Sequence, residues 1–449
     1  MLNNIKSKII LETIFNYMKK KIRMKILKCN KVLLNKLDLS IKDFKESEIF
    51  NEFKKKFNLN AGIEDITKLS LKKKIENVEV LKYFSQINFF NLKELYLNKN
   101  KLKEINLLTY AKFVQLEILN LSENELSDIN ALEKIELNKL KELILYGNKL
   151  TAITVLGKIN LERLEKLNLN NNEIEDLNPL ETLNSKNLKT LNLNCNNFNS
   201  IEPLTKNKFE SLEVLDLSRL CFLEPIPLQN AIFKYLKELY LNLSFVDLSF
   251  FENIQLDNLE ILDLSAHLII EDEEISIGIN LDVLKKFNFP ELKKLILNHN
   301  KISDLSALEN VKFLKLEVLN LGFNKIQKID SIENMNFPEL KILYLGRNGI
   351  EDIKPLENAK IEKLQELYLN GNMISDINIL ENCKFKNLKK LNLNGNNIGN
   401  VKIFEKDLFE NLEVLDLEHN DFWYGDNDMK NKIEAVITNL KNKIKEFSW

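Results

Sequence analysis

Residues Leu92–Asn100 read L-K-E-L-Y-L-N-K-N, and this stretch decides the fold. Leu92, Leu95 and Leu97 precede an asparagine in the order L-x-x-L-x-L-x-x-N. The order returns 24 residues later as Leu116, Leu119, Leu121 and Asn124. It continues through Asn148, Asn172 and Asn196, then resumes as Asn300, Asn324, Asn348, Asn372, Asn396 and Asn420. A degenerate first copy stands at Ile66, Leu69, Leu71 and Lys74. Side chains alternate along a strand, so an L-x-L unit sends its leucines to one face and the residue between them to the other. A single copy cannot bury those leucines alone, whereas stacked copies bury them together. The asparagine follows the strand, where the chain must turn, and its amide can satisfy turn backbone groups inside the stack. The second half of each copy is expected to point Ile, Leu and Phe inward, as with Ile302, Leu305, Leu308 and Phe313.

In-phase leucines of this kind resemble the leucine-rich repeat family over residues 60 to 425. The segment N-K-I-S-D-L-S-A-L (Asn300 to Leu308) is similar to the short repeats of intracellular phosphatase regulators and bacterial internalins. The resemblance implies an α/β solenoid with a parallel sheet on a curved, concave face. About fifteen copies at about 4.8 Å each would span on the order of 70 Å. It also implies that the function is binding another protein there.

Composition agrees with a repeat that outgrows the usual domain size. The chain has 449 residues, 44% hydrophobic and 29% charged, enough apolar material for a continuous core. Lys and Arg total 64 against 66 Asp and Glu, a formal net charge of −2. That balance argues against a generic partner among nucleic acids or anionic membranes. Four dispersed cysteines, Cys29, Cys195, Cys221 and Cys383, form no C-x-x-C pair and suit a reducing cytosolic or nuclear setting. The apolar run at Ile9–Leu11 is broken by Glu12, so neither an export signal nor a membrane-spanning segment is expected. A secreted adhesin is disfavoured on the same ground.

The repeat falters in the middle. Three copies replace the asparagine by Leu220, Ser244 and His267, and His267 to Asn300 is 33 residues instead of 24. The insertion lies near residues 268–280 and contains the acidic run Glu271–Glu274. It reads either as a solvated surface loop or as a bend or partner-contacting loop; the run lacks the spaced ligands and glycine of a calcium loop.

Both ends depart from the repeat. In residues 426–449, Met429, Ile433, Val436, Ile437, Leu440, Ile444 and Phe447 fall at helical spacing, which predicts a helix capping the last exposed leucines. Residues 1–60 read as helices over Ser7 to Met18, Ile22 to Leu37 and a segment holding Phe50, Phe53 and Phe57. Ile10, Leu11, Ile14, Phe15, Tyr17 and Met18, followed by Met24, Ile26, Leu27 and Asn30-Lys31, resemble a degenerate F-box. The usual opening Leu-Pro is missing, and no Trp follows Asn30-Lys31. That resemblance implies docking to the adaptor subunit of a cullin ubiquitin ligase through Leu11, Ile14, Phe15 and Tyr17. A plain N-terminal helical cap is the competing reading.

The outward residue of each L-x-L unit marks the expected binding face. Tyr344 and Tyr368 fall one copy apart, with Ile342 on the same strand face and Phe323 and Arg347 near its edge. Exposed Tyr and Arg clusters are typical interface anchors. Tyr96, Ile144 and Tyr146 form a second group. Shielding of the sheet by aromatics is the competing reading for both. No catalytic motif, phosphate-cradling glycine loop, metal spacing or cofactor site is found in a chain with three histidines and 11 glycines. A non-enzymatic protein-binding scaffold, monomeric on its own, is therefore expected. Substrate receptor of a ubiquitin ligase and phosphatase-regulating subunit are the alternatives.

Overall fold

The structure is a computed structural model. It describes residues 41–57, 59, 65–74, 78–207, 209–220, 233–241, 251, 254, 256–266, 269–270, 273–274, 279–406, 409–421, 434–438, 440 and 443–448. The F-box-like residues Leu11, Ile14, Phe15 and Tyr17 lie outside the described residues. The chain forms two compact units, Met1–Glu142 and Leu143–Trp449.

The first unit opens with helix α1 (Ile41–Phe57). Phe50, Phe53 and Phe57 recur at helical spacing and are buried. Phe53 packs against Tyr83, Phe84 and Phe89, with ring centroids 5.3, 6.4 and 5.8 Å away. Strands β1 (Lys68–Ser70), β2 (Glu94–Tyr96) and β3 (Ile118–Asn120) follow as a parallel ladder. The degenerate copy at Leu69 thus holds a true strand, with Leu69 facing Leu95. The division between the units falls within β4 (Glu142–Ile144).

In the second unit the strands are β5 (Lys166–Asn168), β6 (Thr190–Asn192), β7 (Val214–Asp216), β8 (Glu238–Tyr240) and β9 (Ile261–Asp263). After a two-stranded hairpin come β12 (Lys294–Ile296), β13 (Val318–Asn320), β14 (Ile342–Tyr344), β15 (Glu366–Tyr368), β16 (Lys390–Asn392) and β17 (Val414–Asp416). From β5 to β17 each pairs in parallel with the next of these, leucine facing leucine. Every strand buries its middle leucine and leaves the flanking residues half-buried. In most described copies the second half holds a short 3-10 turn, with one α-helical turn at Glu202–Lys206, and its apolar residues, such as Ile302, Leu305, Leu308 and Phe313, are buried as expected. Each inward side chain is worth roughly 1.5–3 kcal/mol once removed from water, a gain open only to stacked copies.

Two polar devices repeat with the leucines. In Asn124 the side-chain oxygen accepts the N–H groups of Asn100 and Leu102 at 2.9 and 3.1 Å, and the amide nitrogen donates to the carbonyls of Leu97 and Leu121 at 3.0 and 2.9 Å. Asn172, Asn196, Asn324, Asn348, Asn372, Asn396 and Asn420 make the equivalent cross-copy bonds. An aspartate opens many of the 3-10 turns: Asp304, Asp352 and Asp376 each accept the N–H two residues on, at 2.7–2.9 Å. Such local bonds are what short polar side chains do best at turns.

The irregular copies keep the ladder. Leu220 fills the asparagine slot as a buried apolar residue; Ser244 and His267 lie outside the described residues. The insertion forms its own antiparallel hairpin, β10 (Ile269–Ile270) with β11 (Glu273–Glu274). Meanwhile β9 pairs directly with β12, and Asn300 donates to Leu264 across 36 residues at 2.8 Å.

At the C-terminus, residues 434–438 are helical, and Val436, Ile437, Leu440 and Ile444 are buried. The expected helical stripe stops short of Phe447. Glu446–Ser448 forms β18, parallel to β17, with Phe447 facing Leu415. An open sheet edge carries unpaired N–H and C=O groups, and a short strand that satisfies them outweighs one more helical turn. Lys445 fixes the register by pairing with Glu413 at 2.8 Å.

Candidate protein-binding face

Because the strands are in register, the outward residue of each L-x-L unit stacks over its neighbour about 4.8 Å away. Tyr344 and Tyr368 are direct partners in that column. Their rings stack with centroids 4.2 Å apart at 18°. The Tyr368 hydroxyl donates to Glu366 Oε2 at 2.6 Å, and Lys390 Nζ sits 5.1 Å from the Tyr368 ring centroid. Burial, aided by Glu366 and then Tyr344, pushes the Tyr368 phenol well above its usual range. Ile342 is half-buried at the other outward position of β14, beside Val318 and Glu366.

Phe323 and Arg347 belong to a neighbouring column, the residue just before each ladder asparagine. There the chain leaves the strand through the left-handed region: φ is +62° at His299, +54° at Phe323, +55° at Arg347 and +66° at Gly371. Glycine adopts this conformation freely, whereas a bulky side chain does so at a cost of roughly 1–2 kcal/mol. Phe323 is nonetheless 51% exposed and stacks on His299, with centroids 4.3 Å apart at 13°. His299 reads from sequence as repeat decoration; the structure makes it an aromatic partner of Phe323. The exposed Arg347 side chain lies across Gly371, whose added Cβ would sit 2.8 Å from Arg347 Cδ.

Between the two columns the sheet has a gap. Residues 322 and 346 are glycines at a slot where neighbouring copies carry Asn298 and Asn370. The result is a hollow of about 140 Å³ lined by the aromatics His299, Phe323 and Tyr344, by Gly322 and Gly346, and by the amides Asn298, Asn320 and Asn370, the last lying over Gly346. Sequence reading identified Phe323 and Tyr344 but missed His299 and the glycines; the signal was two successive copies with glycine where Asn or Ser is usual.

The second predicted group is divided. Tyr96 lies on β2 of the first unit, its hydroxyl on Glu94 at 3.0 Å and Lys68 Nζ 4.9 Å from its ring centroid. Ile144 and Tyr146 are half-buried residues of the second unit. Tyr240, which the sequence did not single out, stands between its register partners Asp216 and Asp263 and donates to Glu238 at 2.8 Å. Burial above all raises its phenol.

At the residue after the first leucine, lysine and glutamate alternate from Lys93 to Lys341, until Gln365 takes the place of a glutamate. In the first unit Glu117 is 3.6 Å from Lys93 and 2.7 Å from Lys141. In the second, Glu165–Lys189, Glu213–Lys237, Glu260–Lys293 and Glu317–Lys341 pair at 2.7–2.8 Å. These exposed columns pair their own charges along one edge of the strand face. Among the described residues no group of three or more His, Cys, Asp or Glu is placed to hold a metal ion, and no helix is long and apolar enough to cross a membrane.

The family described as Leucine Rich repeats (2 copies) matches residues 90–134, 138–182, 290–334, 314–358, 338–382 and 362–406. These are leucine-rich repeats. The unmatched stretch from 183 to 289 contains the three copies without a ladder asparagine. No curated protein matches the chain. Among solved structures, a leucine-rich repeat protein of Leptospira interrogans is similar at 23% identity and a TM-score of 0.63, covering 86% of this chain and 97% of its own. The plant peptide hormone receptor RGFR1, solved in complex with RGF2, is similar at 21% identity and a TM-score of 0.51, covering 82% of this chain and 60% of its own. An internalin from Listeria monocytogenes gives 23% identity and a TM-score of 0.41, covering 90% and 87%. At these identities the likeness is one of fold. Leucine-rich repeat proteins in general mediate contacts between proteins, and the fold is typically a binding scaffold.

Proposed function

We propose that this leucine-rich repeat protein is a non-enzymatic scaffold that binds a partner protein on the strand face of its second unit, around Phe323, Tyr344, Tyr368, Ile342 and Arg347. One observation carries the reading: Phe323, 51% exposed and stacked on His299, lines the same hollow as Tyr344. The stacked Tyr344–Tyr368 pair beside it supplies a rigid aromatic surface of the type that anchors interfaces.

Affinity capture with the full chain, compared with Tyr344→Ala and Phe323→Asn chains, tests the reading. A partner held by the unaltered chain should drop by tenfold or more with either variant, about 1.4 kcal/mol or more in binding. A partner retained equally by all three chains would show that binding occurs elsewhere.

A further inference from the structure

The hollow between the two columns narrows the chemistry of the partner, on the reading that this face binds protein. Its volume, about 140 Å³, is on the order of the ~150 Å³ that holds a benzene ring. Its aromatic lining is His299 stacked on Phe323, and Tyr344 backed by Tyr368. Asn298, Asn320 and Asn370 add side-chain amides, where an extended backbone crossing the sheet would meet donors and acceptors. The hollow is therefore shaped for one apolar side chain carried on an extended segment.

Charge fixes what flanks that side chain. No carboxylate lines the hollow. The nearest strand-face acids are already engaged, Glu317 with Lys341 at 2.8 Å and Glu366 with the Tyr368 hydroxyl at 2.6 Å. Beside the aromatic walls stand two cations, exposed Arg347 one copy on from Phe323 and Lys390 over Tyr368, and one carboxylate, Glu366, whose oxygen accepts the Tyr368 hydroxyl. A guanidinium held against Gly371 favours a carboxylate, which it can grip through two N–H groups.

We propose that the hollow receives an aromatic or branched aliphatic residue of an extended partner segment, with an adjacent Asp or Glu of that segment on Arg347. Gly322 is then a specificity residue, kept small so that the partner's side chain fills the slot, while Gly346 makes room for the protein's own Asn370 side chain, which would lie 2.5 Å from a Cβ placed there.

A displayed library of random peptides, selected on the full chain, tests this. The expected pool is enriched in Phe, Tyr, Trp or Leu next to Asp or Glu. Gly322→Asn puts into the hollow the residue that Asn298 and Asn370 carry at the same slot; its Cβ would lie 3.3 Å from Asn320 Oδ1 and from the Gly346 carbonyl, so an unchanged melting temperature is checked alongside capture. It should reduce capture of the selected clones about tenfold or more. Arg347→Glu should reduce capture of the acidic clones about tenfold and redirect selection toward Lys and Arg. Clones that depend on Tyr344 but show no acidic bias and ignore Arg347→Glu would overturn this proposal while leaving the strand-face reading intact. Absence of any selected clone, or selection unaffected by Tyr344→Ala, would overturn both. Sedimentation showing a dimer of the unaltered chain that Gly322→Asn dissociates would make the hollow a self-interface and overturn the acidic-segment assignment.

Discussion

The side-chain oxygen of Asn324 lies 2.9 Å from the backbone nitrogen of Asn300, a residue 24 positions earlier in the chain. The same oxygen accepts the N–H of Ile302 at 3.0 Å, while the amide nitrogen donates to Leu297 and Leu321 at 3.0 and 2.9 Å. One side chain thus satisfies backbone groups of two successive copies in a half-buried turn. Asn324→Leu keeps the approximate volume but leaves those groups unpaired, each at about 1–3 kcal/mol. The expected result is a loss of roughly 2–4 kcal/mol, seen as a lower urea midpoint. Asn336→Leu, at an exposed position, should shift stability by less than about 0.5 kcal/mol. Equal midpoints for the two variants would mean that the ladder is decoration.

Phe323 separates stability from binding. Asn tolerates the left-handed region and occupies it at Asn171. Phe323→Asn releases strain of roughly 1–2 kcal/mol and gives up an exposed stacking contact with His299 of about 0.5–1.5 kcal/mol. The unfolding midpoint should therefore hold or rise slightly, a gain of at most about 1 kcal/mol, even as partner capture falls. A marked loss of stability would show that Phe323 serves the fold.

Periodicity made the scaffold legible and left the site half-hidden, for a physical reason. The inward positions, such as Leu319, Leu321 and Phe313, and the ladder asparagines are fixed by demands that every copy must meet alike, so they recur in phase. The hollow arises from a difference between copies. Gly322 and Gly346 are unremarkable until the parallel register sets them side by side, and His299 becomes an aromatic wall only because Phe323 follows it one copy later. Phe447 shows the opposite limit: its helical spacing was sound, but the open edge of β17 offered hydrogen bonds that local pattern does not encode.

The two described cysteines should differ in reactivity. Cys383 is half-buried, as Cys195 is, but its thiol donates to the Ile379 carbonyl at 3.6 Å. Burial, reinforced by Glu357, pushes this thiol up to about 12. The thiolate is the nucleophile, so Cys383 should stay protonated and resist iodoacetamide between about pH 7 and 9. Cys195, half-exposed in a strand-end turn, should be alkylated first. Peptide mapping by mass spectrometry reads the order, and faster labelling at Cys383 would contradict its burial.

The alternating lysine and glutamate columns predict how stability depends on pH. Glu117 accepts a hydrogen bond from Lys141, and that bond, with the charges of Lys141 and Lys93, holds its carboxyl below the usual range. A carboxyl lowered by folding stabilises above its unfolded value and loses that contribution as pH falls through the folded one. At the alkaline end, hydrogen bonds from Lys189, Lys237 and Lys293 to Glu165, Glu213 and Glu260 raise the lysines. Their contribution is complete below the unfolded lysine value and disappears as pH rises through the folded one. The melting temperature should accordingly be flat near neutrality and fall at both extremes. Glu117→Gln isolates the acid limb: the variant should melt below the unaltered protein at about pH 7, and the gap should narrow as pH falls through the lowered folded value of Glu117. Because these pairs are exposed, raising salt from about 0.05 to 1 M should shrink the neutral-pH gap as well. A gap that persists at acid pH and in high salt would assign the effect of Glu117 to packing instead of charge.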